Sequence, residues 1–145
     1  VFLLFLYINL LPHCLIESKF NQWFVDFSDA ESNFYIGISR NNILSFSFTI
    51  KLRKDDIKVL GTFRSRLNCG SIQVSRSEDT AYFRIGGVHQ LYSIILPIFY
   101  SFPLNGVKHR DYLAFKEALL TYLDSSLFKS EVLAKIKLIK SNLKG

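Results

Sequence analysis

The sequence predicts an α+β fold in which one antiparallel β-sheet carries its helices on a single face, the elements following the order αββαββα. Three patterns carry this prediction. Leu44, Phe46, Phe48, Ile50 and Leu52 alternate with Ser45, Ser47, Thr49, Lys51 and Arg53, the period of a strand with one apolar and one polar, basic face. Ile57, Leu60, Phe63 and Leu67 then follow at the spacing of an amphipathic helix. Two further alternating runs, residues 71–75 and 80–85, are separated by Ser77 to Asp79 and predict a hairpin.

The run from Val1 to Leu11 is apolar, but about 20 residues are needed to cross a bilayer as a helix. Pro12 and His13 interrupt it, so no membrane span is expected. It also lacks the basic flank and small-residue cleavage site of a signal peptide, and is read as a helix or strand packing on the domain or on a partner. Residues 21–30 predict a helix with Phe24, Val25 and Phe27 as its apolar members, followed by a strand over residues 34–39.

In the second half of the pattern, Asp55 is the expected N-cap of the helix carrying Leu60, and Asn68, Cys69 and Gly70 stop that helix. In the hairpin, Ile72 and Val74, then Ala81, Phe83 and Ile85, are expected to face inward. Residues 88–96 read as a helix through Leu91, Ile94 and Ile95, ended or kinked by Pro97. Residues 108–124 place Leu113, Leu119, Leu120 and Leu123 on one helical face. A last helix over residues 130–143 sets Val132, Ile136, Ile139 and Leu143 on one side. Lys135, Lys137, Lys140 and Lys144 take much of the rest, the pattern of a solvated face that can also clamp phosphates. The organisation expected is an apolar extension (1–19), one domain (20–128) and a basic C-terminal helix (129–145).

Composition narrows the function. A chain of 145 residues with 49% hydrophobic residues can bury one sizeable core and is not a disordered or low-complexity sequence. Its net charge of +6 points to a polyanionic partner, because clustered Lys and Arg neutralise phosphates and release counterions. The charge is concentrated in Arg40, Lys51, Arg53, Lys54, Lys58, Arg64, Arg66 and Arg76, whereas the segment before Tyr35 carries Glu17, Asp26, Asp29 and Glu31. Cys14 and Cys69 have no zinc-site spacing, and His13, His89 and His109 are scattered. The excess of Phe, Ile, Leu, Asn, Lys and Tyr is what AT-rich codons give, so an organellar or otherwise AT-rich gene is expected, with the mitochondrion or another organelle as the location.

The stretch Trp23-Phe24-Val25-Asp26-Phe27-Ser28-Asp29-Ala30-Glu31-Ser32-Asn33-Phe34 resembles the signature of the LAGLIDADG homing endonucleases. Three further pieces occur in that family's order: Phe48 to Asp55, the turn Cys69-Gly70-Ser71-Ile72, and Pro103-Leu104 before Lys108. The resemblance implies a half-unit whose signature helix packs on that of a second unit, with the two sheets forming a saddle over a DNA major groove. One signature is present, so the second unit would come from another copy or from a ribonucleoprotein assembly. By the same resemblance Glu31 is a metal ligand and catalytic residue, the Ala30 carbonyl is a neighbouring metal ligand, and Mg²⁺ is the cofactor. Lys108 would stabilise phosphate charge, with His109 and Arg110 as alternatives for that position. Asp29 matches the first acid of the signature and is assigned to capping or packing. Asp26 and Ser32 depart from the small residues the family favours, and Leu52 stands where the family often has a polar residue.

Nucleic acid is expected to meet Arg40, Ser45, Ser47, Thr49, Lys51, Arg53, Ser71, Gln73, Ser75, Tyr82 and Arg84. Two functions follow from the resemblance: a metal-dependent DNA endonuclease, which Glu31 favours, and an inactive RNA-binding derivative, such as an intron maturase or a mitochondrial ribosomal protein, which Asp26 favours.

Overall fold

The computed structural model of the protein describes residues 11–143, with side chains from Ser18 onward. The reading of the opening apolar run therefore lies outside the described residues up to residue 10. Helix α1 spans Leu11–Glu31, beginning ten residues before the predicted start. Pro12 does not prevent this, because the first turn of a helix needs no intrahelical N–H donors. The helix passes into strand β1, Ser32–Ile38, with no intervening loop.

Strand β2 is Leu44–Arg53, as the alternation predicts. A 3₁₀ turn at Lys54–Asp56 leads into α2, Ile57–Leu67, and displaces the expected N-cap from Asp55 to Asp56, which makes no side-chain capping bond. Asn68 ends α2 in the left-handed conformation at φ 55°, which its short polar side chain tolerates. Strands β3, Ser71–Val74, and β4, Thr80–Ile85, form the hairpin. The sheet order is β1-β2-β4-β3, antiparallel throughout.

Past Gly87 the chain forms one helical segment, α3, built from Val88–Gln90, a π-helical stretch Leu91–Ile95, and Leu96–Ser101. Pro97 therefore neither ends the helix nor marks its boundary: it sits beside the wider π turn, a local adjustment that accommodates a missing backbone donor. Helices α4, Gly106–Leu123, and α5, Lys129–Ser141, complete the chain.

The core is one cluster between the sheet and the helices, and it is unusually aromatic. Phe24 of α1 lies 5.9 Å from Phe48 and 5.1 Å from Phe63, ring centre to ring centre, and Phe34 lies 5.2 Å from Phe115. Phe24 and Phe63 meet edge to face, at 88° between ring planes, and the other two pairs are tilted, so ring–ring attraction adds to burial. The inward residues of β2 and β4 are buried as predicted, except Leu44, which is half-buried at the start of β2, but three expectations fail. Ile57 is exposed because the 3₁₀ turn delays entry into α2, and Val74 is exposed because it ends the edge strand β3. On α4 the buried face is Tyr112, Phe115, Ala118 and Leu119, whereas Leu113, Leu120 and Leu123 face outward. The aromatic core draws in the face that carries two rings, and leucine spacing could not reveal that choice.

Candidate functional site

Antiparallel register sets the outer face of the sheet as rows of side chains. Asn33, Thr49, Arg84 and Ser71 stand opposite one another across all four strands. Lys51, Tyr82 and Gln73 form the next row, and Arg53 and Thr80 the one after. Ser45, Lys51, Arg53, Ser71, Gln73 and Arg84 are exposed, and Thr49 and Tyr82 half-exposed. Lys51 places its ammonium 5.7 Å from the centre of the Tyr82 ring, a cation–π contact that holds the charge over the sheet.

Two of the predicted contact residues differ from expectation, and a third, Arg40, lies outside the strands as the sequence places it. Ser47 is buried, with the large Tyr35 side chain opposite it on β1. Ser75 lies beyond β3, and its hydroxyl accepts the Glu78 N–H in the hairpin turn at 3.1 Å. Arg40 is exposed in the β1–β2 turn. Arg53 also carries partners that strand alternation does not indicate: its guanidinium lies 3.4 Å from Asp79 and 3.8 Å from Asp55. Both pairs are solvent-exposed, where such contacts are worth about 0–1 kcal/mol, so a phosphate can displace them.

Glu31 is the last residue of α1 and, like Ala30, is exposed. It lines an open cleft with Lys51, Leu52, Arg53, Asp56 and Thr80, so the helix end and the basic end of β2 border the same space. Sequence patterning had no means of including Asp56 and Thr80, which come from a turn and a distant strand. The Thr80 hydroxyl is buried without a hydrogen-bond partner among the described residues.

Lys108, in the first turn of α4, donates from Nζ to the carbonyl of Ser32, the residue after Glu31. The neighbouring His109 is turned instead toward Tyr112, 6.3 Å between ring centres. Asp29 is tied to Asn105, which precedes α4, and so serves packing rather than facing the cleft. Asp26 is exposed on the other side of α1, bordering a groove of about 530 Å³ with Gln22, Val25, Ser101, Phe102 and Pro103. No helix among the described residues is long and apolar enough to cross a membrane.

The family model for LAGLIDADG endonucleases matches residues 24–119, the span from the signature helix to the buried face of α4. Probable intron-encoded endonuclease 2 of Neurospora crassa is 28% identical over 121 residues, which cover 83% of this chain and 26% of that protein. An uncharacterised mitochondrial protein of Saccharomyces cerevisiae is 28% identical over 119 residues, 82% of this chain and 25% of its own length. The chain thus spans about a quarter of the length of these curated relatives. Among solved structures, the homing endonuclease I-TnaI superposes with a TM-score of 0.78 at 28% identity, covering 86% of this chain and 88% of that one. The LAGLIDADG meganuclease I-CpaMI bound to uncleaved DNA gives 0.77 at 30% identity, covering 86% of this chain and 43% of that one.

Proposed function

The chain belongs to the LAGLIDADG endonuclease family, and from that premise we propose that it is one unit of an intron-encoded, mitochondrial homing endonuclease that cuts double-stranded DNA with Mg²⁺. What supports this reading most is the cleft that Glu31 borders together with Lys51 and Arg53. A carboxylate at the end of a helix lies beside carbonyls that have no intrahelical partner and that form the negative end of the helix dipole. Such an all-oxygen set suits a small hard cation. Among the described residues no three His, Cys, Asp or Glu side chains gather into a cage. The donor set therefore fits an ion held by one carboxylate and a carbonyl, here Glu31 and Ala30, with phosphate oxygens and water completing its shell.

When bound, the ion supplies an activated water and charge neutralisation at the scissile phosphate. The chain's own residues then divide the remaining work. Ser45, Thr49, Lys51, Arg53, Ser71, Gln73, Tyr82 and Arg84 face the DNA groove from the sheet. Lys51 and Arg53 bring the backbone toward Glu31 and neutralise its charge. Lys108, anchored on the Ser32 carbonyl, is a fixed positive charge one residue from Glu31. A second unit completes the site by packing on the exposed side of α1. A second copy would bring two Asp26 carboxylates together there, at a cost on the order of several kcal/mol unless they are protonated or paired.

The test is strand scission of intron-insertion-site DNA by the purified protein with Mg²⁺, comparing wild type with Glu31→Gln. Cleavage is expected to be lost in the variant and binding kept, since Gln fills nearly the same volume without the charge. A variant that cuts as well as wild type removes Glu31 from the site. A wild type that binds RNA but cuts no DNA with Mg²⁺ or Mn²⁺ replaces this reading with that of an RNA-binding derivative.

A further inference from the structure

On the outer face of β1, Tyr35 is half-exposed, and its ring lies along the strand over Gly37. Gly37 is needed for this: a Cβ there would collide with the Ser45 hydroxyl and lie 3.0 Å from the Tyr35 ring. The ring is topped by a residue from a remote element, Lys140 of α5, whose ammonium sits 5.8 Å from the ring centre. Helix α5 packs on α4 through Val132 and Ile136, so Lys140 reaches round the free edge of β1 to the outer face. Lys137 is one turn earlier on the same flank of α5 and is exposed. Within Lys129–Ser141 four lysines face one acid, Glu131, and neither Lys137 nor Lys140 forms an ion pair among the described residues.

We propose that Tyr35, Lys137 and Lys140 form a second phosphate-contacting subsite, which extends the nucleic-acid surface past the β1 edge and holds the DNA backbone flanking the segment on the sheet. The inference rests on the reading that the outer sheet face binds DNA. A lysine on a solvated helix face must lose side-chain freedom before it can bind. Contact with the Tyr35 ring restrains Lys140 in advance, and contact with a ring face leaves ammonium N–H groups free to donate. The phenol of Tyr35 adds a neutral donor beside it. The subsite lies off the sheet's edge strand, so it engages only DNA long enough to run beyond the sheet.

The experiment measures the salt dependence of binding to random-sequence duplexes of about 12 and about 40 base pairs, between about 50 and 200 mM salt. Lys140→Ala is expected to reduce the slope by about one unit on the long duplex and to leave it unchanged on the short one. Lys51→Ala, on the sheet, should reduce it on both. Lys135→Ala is the control, about 140° round the helix from Lys140. Lys135 lies near Asp124, whose carboxyl is held low by its hydrogen bonds from Ser126 and further by Lys135. Its replacement should leave both slopes unchanged. If Lys51→Ala lowers the slopes and Lys140→Ala does not, the subsite is overturned while the sheet reading stands. Equal effects of Lys135→Ala and Lys140→Ala overturn it too, because α5 would then act only as diffuse charge. If neither Lys51→Ala nor Lys140→Ala changes a slope, the sheet reading itself fails.

Discussion

Asp29 holds Asn105 through both carboxylate oxygens, Oδ1 accepting the Asn105 backbone N–H at 2.8 Å and Oδ2 its side-chain amide at 2.9 Å. Seventy-six positions separate the two residues, and the clasp fixes where α4 begins relative to the end of α1. Three residues further on, Lys108 reaches the Ser32 carbonyl from the same helix. The first acid of the signature, assigned from the sequence to capping or packing, is thus a fastening between the end of α1 and the helix that carries Lys108.

Removing that fastening should cost stability and position together. Hydrogen bonds to a charged group are worth about 1.5–3 kcal/mol, so Asp29→Ala should lower unfolding free energy by an amount in that range. Asn105→Ala should lose less, and the double variant should lose less than the sum. Denaturant unfolding of the four proteins checks this. Additive losses would mean that the pair is not coupled.

The basic row on the sheet should be read in salt dependence rather than in affinity at one condition. Lys51→Ala should reduce the slope of log K against log salt by about one unit, with similar loss on unrelated DNA sequences. Arg53→Ala should do less than Lys51→Ala, because Asp55 and Asp79 already offset part of its charge. Asp79→Asn should accordingly strengthen binding, and a fluorescence anisotropy titration would detect it.

The two faces of α4 offer a direct comparison. Phe115 is fully buried among Phe34 and Phe46, so Phe115→Ala should cost about 3–5 kcal/mol. Leu113→Gln, on the outward face, should change stability by no more than about 0.5 kcal/mol. A large loss for Leu113→Gln would indicate that this face is covered in the assembled protein, and the measurement should then be repeated across protein concentrations.

Tyr112 makes the core sensitive to alkali. Burial, with a smaller contribution from Tyr100, pushes its phenol from 10.0 up to about 12, and its hydroxyl donates to the Leu96 carbonyl at 3.0 Å. The folded protein therefore favours the neutral phenol. Its stabilisation is complete below pH 10.0 and is lost as the pH rises through about 12. Tyr112→Phe should be less stable near neutrality by about 1 kcal/mol, since the Leu96 carbonyl loses its donor. It should also show a shallower decline in urea midpoint above pH 10.0. An identical decline in both proteins would assign the alkaline sensitivity to other groups.

The sequence by itself determined what depends on local period and local chemistry. The alternation of Leu44 to Arg53 fixed a strand, its two faces and its basic edge. The residues around Asp26 to Glu31 carried the family signature, and the one buried run after another gave the order of elements. These are properties of neighbours along the chain, which is why β2 and β4 match expectation at both ends.

Only the tertiary structure decided which side of α4 is core, because that depends on whether Tyr112 and Phe115 or Leu113 and Leu120 meet the rings of Phe34 and Phe99. It likewise decided that Asp29 fastens Asn105, that Thr80 and Asp56 border the cleft of Glu31, and that Lys140 lies over Tyr35. Each of these joins residues remote in the chain, and their separation in space is set by how helices of given length stack on a twisted sheet. Periodicity states which face of an element is apolar, but the meeting of two distant side chains is a property of the packing.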